Sequence, residues 1–187
     1  MACINYPLAH GSELKYYPNF LSQELADFYL ETFMELPFEQ GVVTSGIEHR
    51  KSCFFATMPG YIYKYAGKSN PALPMPDEMV HLMNSINCPT NSCLVNLYET
   101  GRHNIGWHAD SEQSLVLEST IASVSLGAIR SFEVKSIVDN ITVAKIPMAH
   151  GSLVTMGGPM QRHYKHRIAP NAKCTTPRIN LTFRLAK

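Results

Sequence analysis

The sequence predicts an α+β chain with a mainly β core, closed as a sandwich or barrel, and with helices and a hairpin in its first half. Three observations carry that expectation. Short runs rich in Val, Ile, Leu and Thr succeed one another from Cys93 onward, the pattern of many short strands joined by loops. Two segments before Pro89 carry apolar residues at helical spacing. Between them, two aromatic-rich runs flank Pro59-Gly60, a strong turn signal.

In chain order, Leu21, Leu25, Phe28, Tyr29, Thr32, Phe33 and Leu36 recur at helical spacing, with Ser22 placed to cap the start and Pro37 to end the run. This predicts a helix packed on the core. Ser52 to Thr57 and Tyr61 to Tyr65 predict a β-hairpin about Pro59-Gly60. A second helix is expected from Pro76, at a first-turn position, through Asp77, Glu78, Met79, Leu82 and Met83 to Ile86, stopping before Pro89. Its Met-rich face suits core packing. The β region then offers strands at Cys93 to Glu99, Thr120 to Leu126, Arg130 to Ser136, Ile141 to Ile146, Ser152 to Met156 and Arg178 to Leu185. No repeat or linker interrupts the 187 residues, so a single domain is expected, with helices and hairpin in 1–89 and the β core in 90–187.

Composition narrows the class of protein. No apolar run approaches the length of a membrane span, and the N-terminus lacks the basic and apolar regions of a secretory signal. A soluble, intracellular protein of the cytoplasm or nucleus is expected. Five cysteines with no C-x-x-C pair argue against a disulfide framework and a cysteine zinc site, leaving free thiols. All fifteen acidic residues lie at or before Asp139, and eight of the sixteen Lys and Arg follow it. The charge is therefore −7 up to Asp139 (8 − 15) and +8 beyond it, a split compatible with a polyanionic partner. The G-x-S-x-G and H-E-x-x-H motifs are absent, and Gly67-Lys68-Ser69 lacks the earlier glycine of a phosphate-binding loop.

The chemistry begins at Trp107-His108-Ala109-Asp110, where alternation along a strand puts His108 and Asp110 on one side. Trp107 faces the other way and is expected in the core. A third donor must come from elsewhere, and His103, His150, His163 and His166 are all available. Two imidazoles and a carboxylate on one face of an octahedron leave positions open for a bidentate co-substrate and dioxygen, the design of non-haem iron(II) oxygenases. In Arg178-Ile179-Asn180-Leu181-Thr182-Phe183-Arg184, period-two alternation separates a polar face from an apolar one. If the polar face lines a barrel, two desolvated guanidinium groups need an anion, and a dicarboxylate fits their fork geometry. Asn96 and Tyr98 share a face of another strand and add hydrogen-bonding groups.

Taken together, Asn96-Leu97-Tyr98, His108-Ala109-Asp110, Ser123-Val124-Ser125-Leu126-Gly127, His166 and Pro177 through Arg184 resemble the AlkB family of nucleic-acid dealkylating dioxygenases. The resemblance covers roughly Arg50 to Arg184. It implies a double-stranded β-helix (jelly-roll) core, with the hairpin serving as part of a nucleotide-recognition lid. It implies Fe(II) on His108, Asp110 and His166, with 2-oxoglutarate and O2 as co-substrates. Arg178 would hold the distal carboxylate of 2-oxoglutarate and Arg184 the carboxylate near the metal, while Asn96, Tyr98 and Asn180 would donate hydrogen bonds. Substrate contacts would fall to Tyr61, Tyr63, Tyr65, Glu112 and His108, with Arg50 as a phosphate contact. The implied activity is oxidative demethylation of N-alkylated bases in DNA or RNA, releasing formaldehyde as 2-oxoglutarate and O2 become succinate and CO2, in alkylation damage repair by an enzyme acting as a monomer. The alternative keeps fold and cofactor but takes a protein or small-molecule substrate.

Overall fold

The computed structural model describes residues 2–187 other than 44, 45, 66 and 67, and no side chains within 42–48 or 64–68. Its first part comprises β1 (Ile4–Pro7), β2 (Glu13–Tyr17), α1 (Gln23–Met34), β3 (Glu39–Val43), β4 (Gly46–Ala56), β5 (Ile62–Tyr65), β6 (Lys68–Pro71), β7 (Leu73–Pro74) and α2 (Asp77–Ser85). The β region holds β8 (Ser92–Tyr98), β9 (Ile105–His108), β10 (Ile121–Gly127), β11 (Arg130–Ser136), β12 (Thr142–Met148), β13 (Ser152–Gly157), α3 (Met160–His163), β14 (Tyr164–Ile168) and β15 (Arg178–Arg184).

Alternation along the strands builds three layers from these pieces. Ile179, Leu181 and Phe183 of β15 are fully buried in a core shared with Ala26, Tyr29 and Phe33 of α1 and Met79, Leu82 and Met83 of α2. The other face of the same sheet meets a second sheet through Tyr98, Ile121, Phe132, Val134, Ile146, Met156 and Ile168. The major sheet runs β1-β2-β13-β10-β15-β8-β4-β3, with β7 paired to β4, and the minor sheet runs β12-β11-β14-β9. Two antiparallel sheets with helices on one outer face give a jelly-roll core. No helix among the described residues is long and apolar enough to cross a membrane.

Local signals in the helices are realised with small shifts. The Ser22 side chain accepts from the Leu25 N–H and caps α1 as expected. The buried stripe is nevertheless Ala26, Tyr29 and Phe33, and Leu25 and Phe28 face solvent. Pro76 sits at the N-cap of α2 rather than in its first turn. The expected hairpin is not formed: β4 pairs with β3 and β8, whereas β5 pairs with β6. The reason is the length of β4, whose register with β8 runs from Lys51↔Leu97 to Ala56↔Ser92. That pairing commits β4 to the major sheet, and β5 packs over it, with Tyr63 stacked on Phe54 at 4.4 Å. Strands β1, β2 and β3, too plain to place from sequence, extend the two ends of the major sheet, and β6, equally plain, forms a separate two-stranded sheet with β5.

Trp107 is also placed differently from the expectation. It is half-buried on the outward face of the minor sheet, under Lys135 and Arg167 at 4.7 and 4.5 Å from its ring. The charge split is partly closed by folding, since Arg162 meets Glu118 at 3.0 Å and Arg167 meets Glu133 at 2.7 Å. All five cysteines are free. Arg130 is 1% exposed and is held by the carbonyls of Thr100, Gly101, His103 and Ala169. It ties the loop before β9 to the loop after β14.

Candidate metal centre and co-substrate cleft

The pairing of β9 with β14 sets His108 directly opposite His166, with ring centroids 4.3 Å apart. Asp110 lies just beyond the end of β9, and its backbone N–H donates to Gln161 Oε1 on α3 at 2.9 Å. The three side chains bring ligand atoms within 4.8 Å of one another, the one such group of His, Cys, Asp or Glu among the described residues. The other histidines are engaged elsewhere. His103 Nδ1 accepts from the Glu99 N–H, His150 bridges Gly127 and Asp27, and His163 stacks on His10.

The donor set is prepared for a divalent cation. His108 Nδ1 lies 2.8 Å from the Gly106 carbonyl, which fixes its N–H there and leaves the Nε2 lone pair 3.7 Å from Asp110 Oδ1. His166 Nδ1 is buried with no hydrogen-bond partner among the described residues. Burial first, and His108 second, push the His166 pKa down to about 3, so its ring is neutral and keeps a lone pair. Burial works to raise Asp110, but Arg184, His166 and His108 outweigh it and hold the carboxyl well below its ordinary range. These residues fit a ferrous ion: the His108 and His166 imidazoles and an ionised carboxylate.

Arg184 donates from Nε and Nη2 to Asp110 Oδ2, at 3.2 and 2.8 Å. That leaves Oδ1 for a metal. Its Nη1 donates to the Tyr63 hydroxyl at 3.1 Å, and that hydroxyl donates to Glu112 Oε1 at 2.8 Å. Arg184, expected to face a co-substrate carboxylate, is thus first the clamp of the metal-ligand carboxylate. Arg178 is fully buried, donating to Ser125 Oγ at 2.9 Å and Asn180 Oδ1 at 2.7 Å. Its Nη1 has no partner among the described residues. Burial brings its pKa down to about 10, still a cation at neutral pH.

A cleft of about 480 Å³ is lined among others by Asn96, Tyr98, Asp110, Ser123, His166, Asn180, Thr182 and Arg184; Arg178 is not in its lining and reaches it through its bond to Asn180. Asn180 is committed within the wall, accepting from Ser123 and Arg178 and donating to Thr182 at 2.7 Å. It orients Arg178 instead of presenting a free amide. Arg50, expected as an outer phosphate contact, is 4% exposed, lines this cleft and donates to Asn96 Oδ1. A second cleft of about 470 Å³ shares Asp110 and Arg184 with the first and adds Glu112, Leu115, Val116 and Gln161. There Glu112 Oε2 is buried without a partner among the described residues. Tyr61 donates to the Ser114 carbonyl, and the Tyr65 side chain lies outside the described residues. Gln161 carries no signal in the sequence, whereas Ser123 and Ser125 were legible as alternate positions of one strand.

Comparison with known proteins agrees with this geometry. The family described as the 2OG-Fe(II) oxygenase superfamily matches residues 13–184, and the chain belongs to that superfamily. Fe(II), 2-oxoglutarate and O2 are the cofactor set that membership implies. Its curated relatives there are AlkB-type proteins, the family its motifs resemble. It is 35% identical over 136 residues to human DNA oxidative demethylase ALKBH2, covering 67% of this chain and 52% of that protein. It is 31% identical over 186 residues to human alpha-ketoglutarate-dependent dioxygenase alkB homolog 3, covering 90% of this chain and 64% of that one. The chain therefore spans about half to two thirds of these relatives. Among solved structures, an OsALKBH1 chain superposes with a TM-score of 0.63 at 19% identity, covering 97% of this chain and all of that one. A prolyl hydroxylase from Trichoplax adhaerens gives 0.61 at 12%, covering 92% and 83%. Both speak for the fold alone.

Proposed function

We propose that this chain oxidatively demethylates N-alkylated bases in DNA or RNA, working as a monomer of one domain. The observation that carries the reading is the His108, Asp110 and His166 trio on the wall of the first cleft, with Asp110 and Arg184 shared by a second. Arg178, whose Nη1 is unpartnered among the described residues, is fully buried and bonds Asn180 of the first cleft's wall; the second cleft offers the unpartnered Glu112 oxygen to a donor such as an exocyclic amine. The names of the relatives, DNA oxidative demethylase among them, point the same way.

In this reading His108, Asp110 and His166 hold iron(II). When bound with 2-oxoglutarate and O2, the metal supplies oxidation of an N-methyl carbon, yielding formaldehyde, the repaired base, succinate and CO2. Arg178, oriented by Ser125 and Asn180, takes the distal carboxylate, and Asn96 and Tyr98 flank the co-substrate. Arg184 keeps Asp110 ionised and aimed, while Tyr63 ties that clamp to Glu112. Arg50 acts from inside the cleft by positioning Asn96. A base must leave its stack to reach the site, and the His108 ring forms one wall of the slot, with Tyr63 and Glu112 beside it; Tyr65 belongs to the same reading as a substrate contact.

The test supplies Fe(II), 2-oxoglutarate and N-methylated oligonucleotides, single- and double-stranded, of DNA and RNA. Stoichiometric formaldehyde and succinate are expected from at least one. Succinate without formaldehyde from any of them would refute the nucleic-acid reading and favour a protein or small-molecule substrate.

A further inference from the structure

The outward face of the minor sheet is uncovered among the described residues, because α1 and α2 both pack on the major sheet. Alternation sends Phe132, Val134, Ala144, Ile146 and Ile168 inward. It sends Glu133, Lys135, Lys145, Lys165 and Arg167 outward. Register then gathers these charges, since Glu133 lies opposite both Lys145 and Arg167, and Lys135 opposite Lys165. Glu133, largely buried, holds Arg167 at 2.7 Å and stands 3.8 Å from Lys145. It neutralises one of four cations. Trp107, the one tryptophan of the chain, sits half-buried beneath Lys135 and Arg167.

We infer that this face tracks the phosphate backbone of the nucleic acid flanking the substrate nucleotide, an inference that rests on the function proposed above. Charge complementarity identifies the occupant: a face with a net excess of three cations suits a polyanion. Position supports it. β9, which carries His108, is the edge of this sheet, and Lys165 and Arg167 flank His166 in the adjoining strand. A chain leaving the metal site reaches the outer face by crossing one strand. The cations lie on β12, β11 and β14, spread over about 10 Å, the reach of about three phosphates.

The experiment compares wild type with K135A/K145A/K165A in binding a labelled 12-nucleotide single strand between about 50 and 200 mM salt. Loss of three phosphate contacts lowers the slope of log affinity against log salt by about 2. Turnover of a methylated nucleoside, which carries no flanking phosphate, stays unchanged. In wild type, the 12-mer changes Trp107 fluorescence and the nucleoside does not. An unchanged salt slope overturns the inference, as does an equal loss of turnover on both substrates. If the triple variant melts early, K145A and K165A singly must each lower the slope by about 0.7. A wild type whose slope responds in this way but which demethylates neither substrate refutes the proposed function and leaves the surface standing.

Discussion

Removal of the Arg184 guanidinium, as in R184M, isolates the contribution of the clamp on Asp110. Both partners are buried, 4% and 5% exposed, and two N–H groups of Arg184 converge on one carboxylate oxygen. Deleting one member of such a pair leaves an uncompensated charge in low dielectric, which costs about 3–5 kcal/mol. For a chain of this size that corresponds to a fall in melting temperature of about 6–20 °C. The loss depends on Asp110 remaining charged, so two rescues are expected. The double variant D110N/R184M recovers most of the loss, because neither charge remains. A divalent ion such as Mn(II) raises the melting temperature of R184M more than that of wild type, since the metal then becomes the principal cation facing Asp110. Thermal melts of the three proteins in chelator and in excess Mn(II) provide the measurement. A metal-free R184M that melts within about 3 °C of wild type, or a double variant no more stable than R184M, would refute the argument.

Other expectations follow from neighbouring contacts. R178K keeps the charge and loses the fork on Ser125 and Asn180, so the KM for 2-oxoglutarate rises about tenfold or more; succinate formation against co-substrate concentration reads it, and an unchanged KM counts against the assignment. The metal-free protein loses stability as pH falls from about 6.5 toward 3, because unfolded His166 binds a proton that the folded ring, with its pKa down to about 3, refuses. Urea midpoints from pH 7 to 4 show that slope, up to about 1.4 kcal/mol per pH unit, and H166N flattens it. Asp110 acts in the same direction lower down, since its depressed pKa confers stability above the ordinary carboxylate value that is lost as pH falls. R130M removes the buried guanidinium from the carbonyls of Thr100, Gly101, His103 and Ala169, of which the first two keep backbone donors, and destabilises the protein by about 2 kcal/mol, measured by denaturant unfolding; a loss below about 1 kcal/mol would mean that water replaces the guanidinium.

What could be read from the chain alone was periodic or adjacent. The two faces of β15, the Ser22 cap, the positions of most core strands and the nearness of His108 to Asp110 all follow from residues a few positions apart. Residue pattern alone left the third donor open among four histidines; the family resemblance pointed to His166, and it is the β9–β14 register that sets that residue opposite His108. Tertiary pairing also drew β4 into the major sheet, turned Trp107 outward beneath two cations, and gave Arg184 to Asp110 before any co-substrate. Alternation is imposed by the backbone of a single strand, so it is legible locally. Which strand lies alongside is decided by how much apolar surface each pairing buries, and that sum runs over residues far apart in the chain.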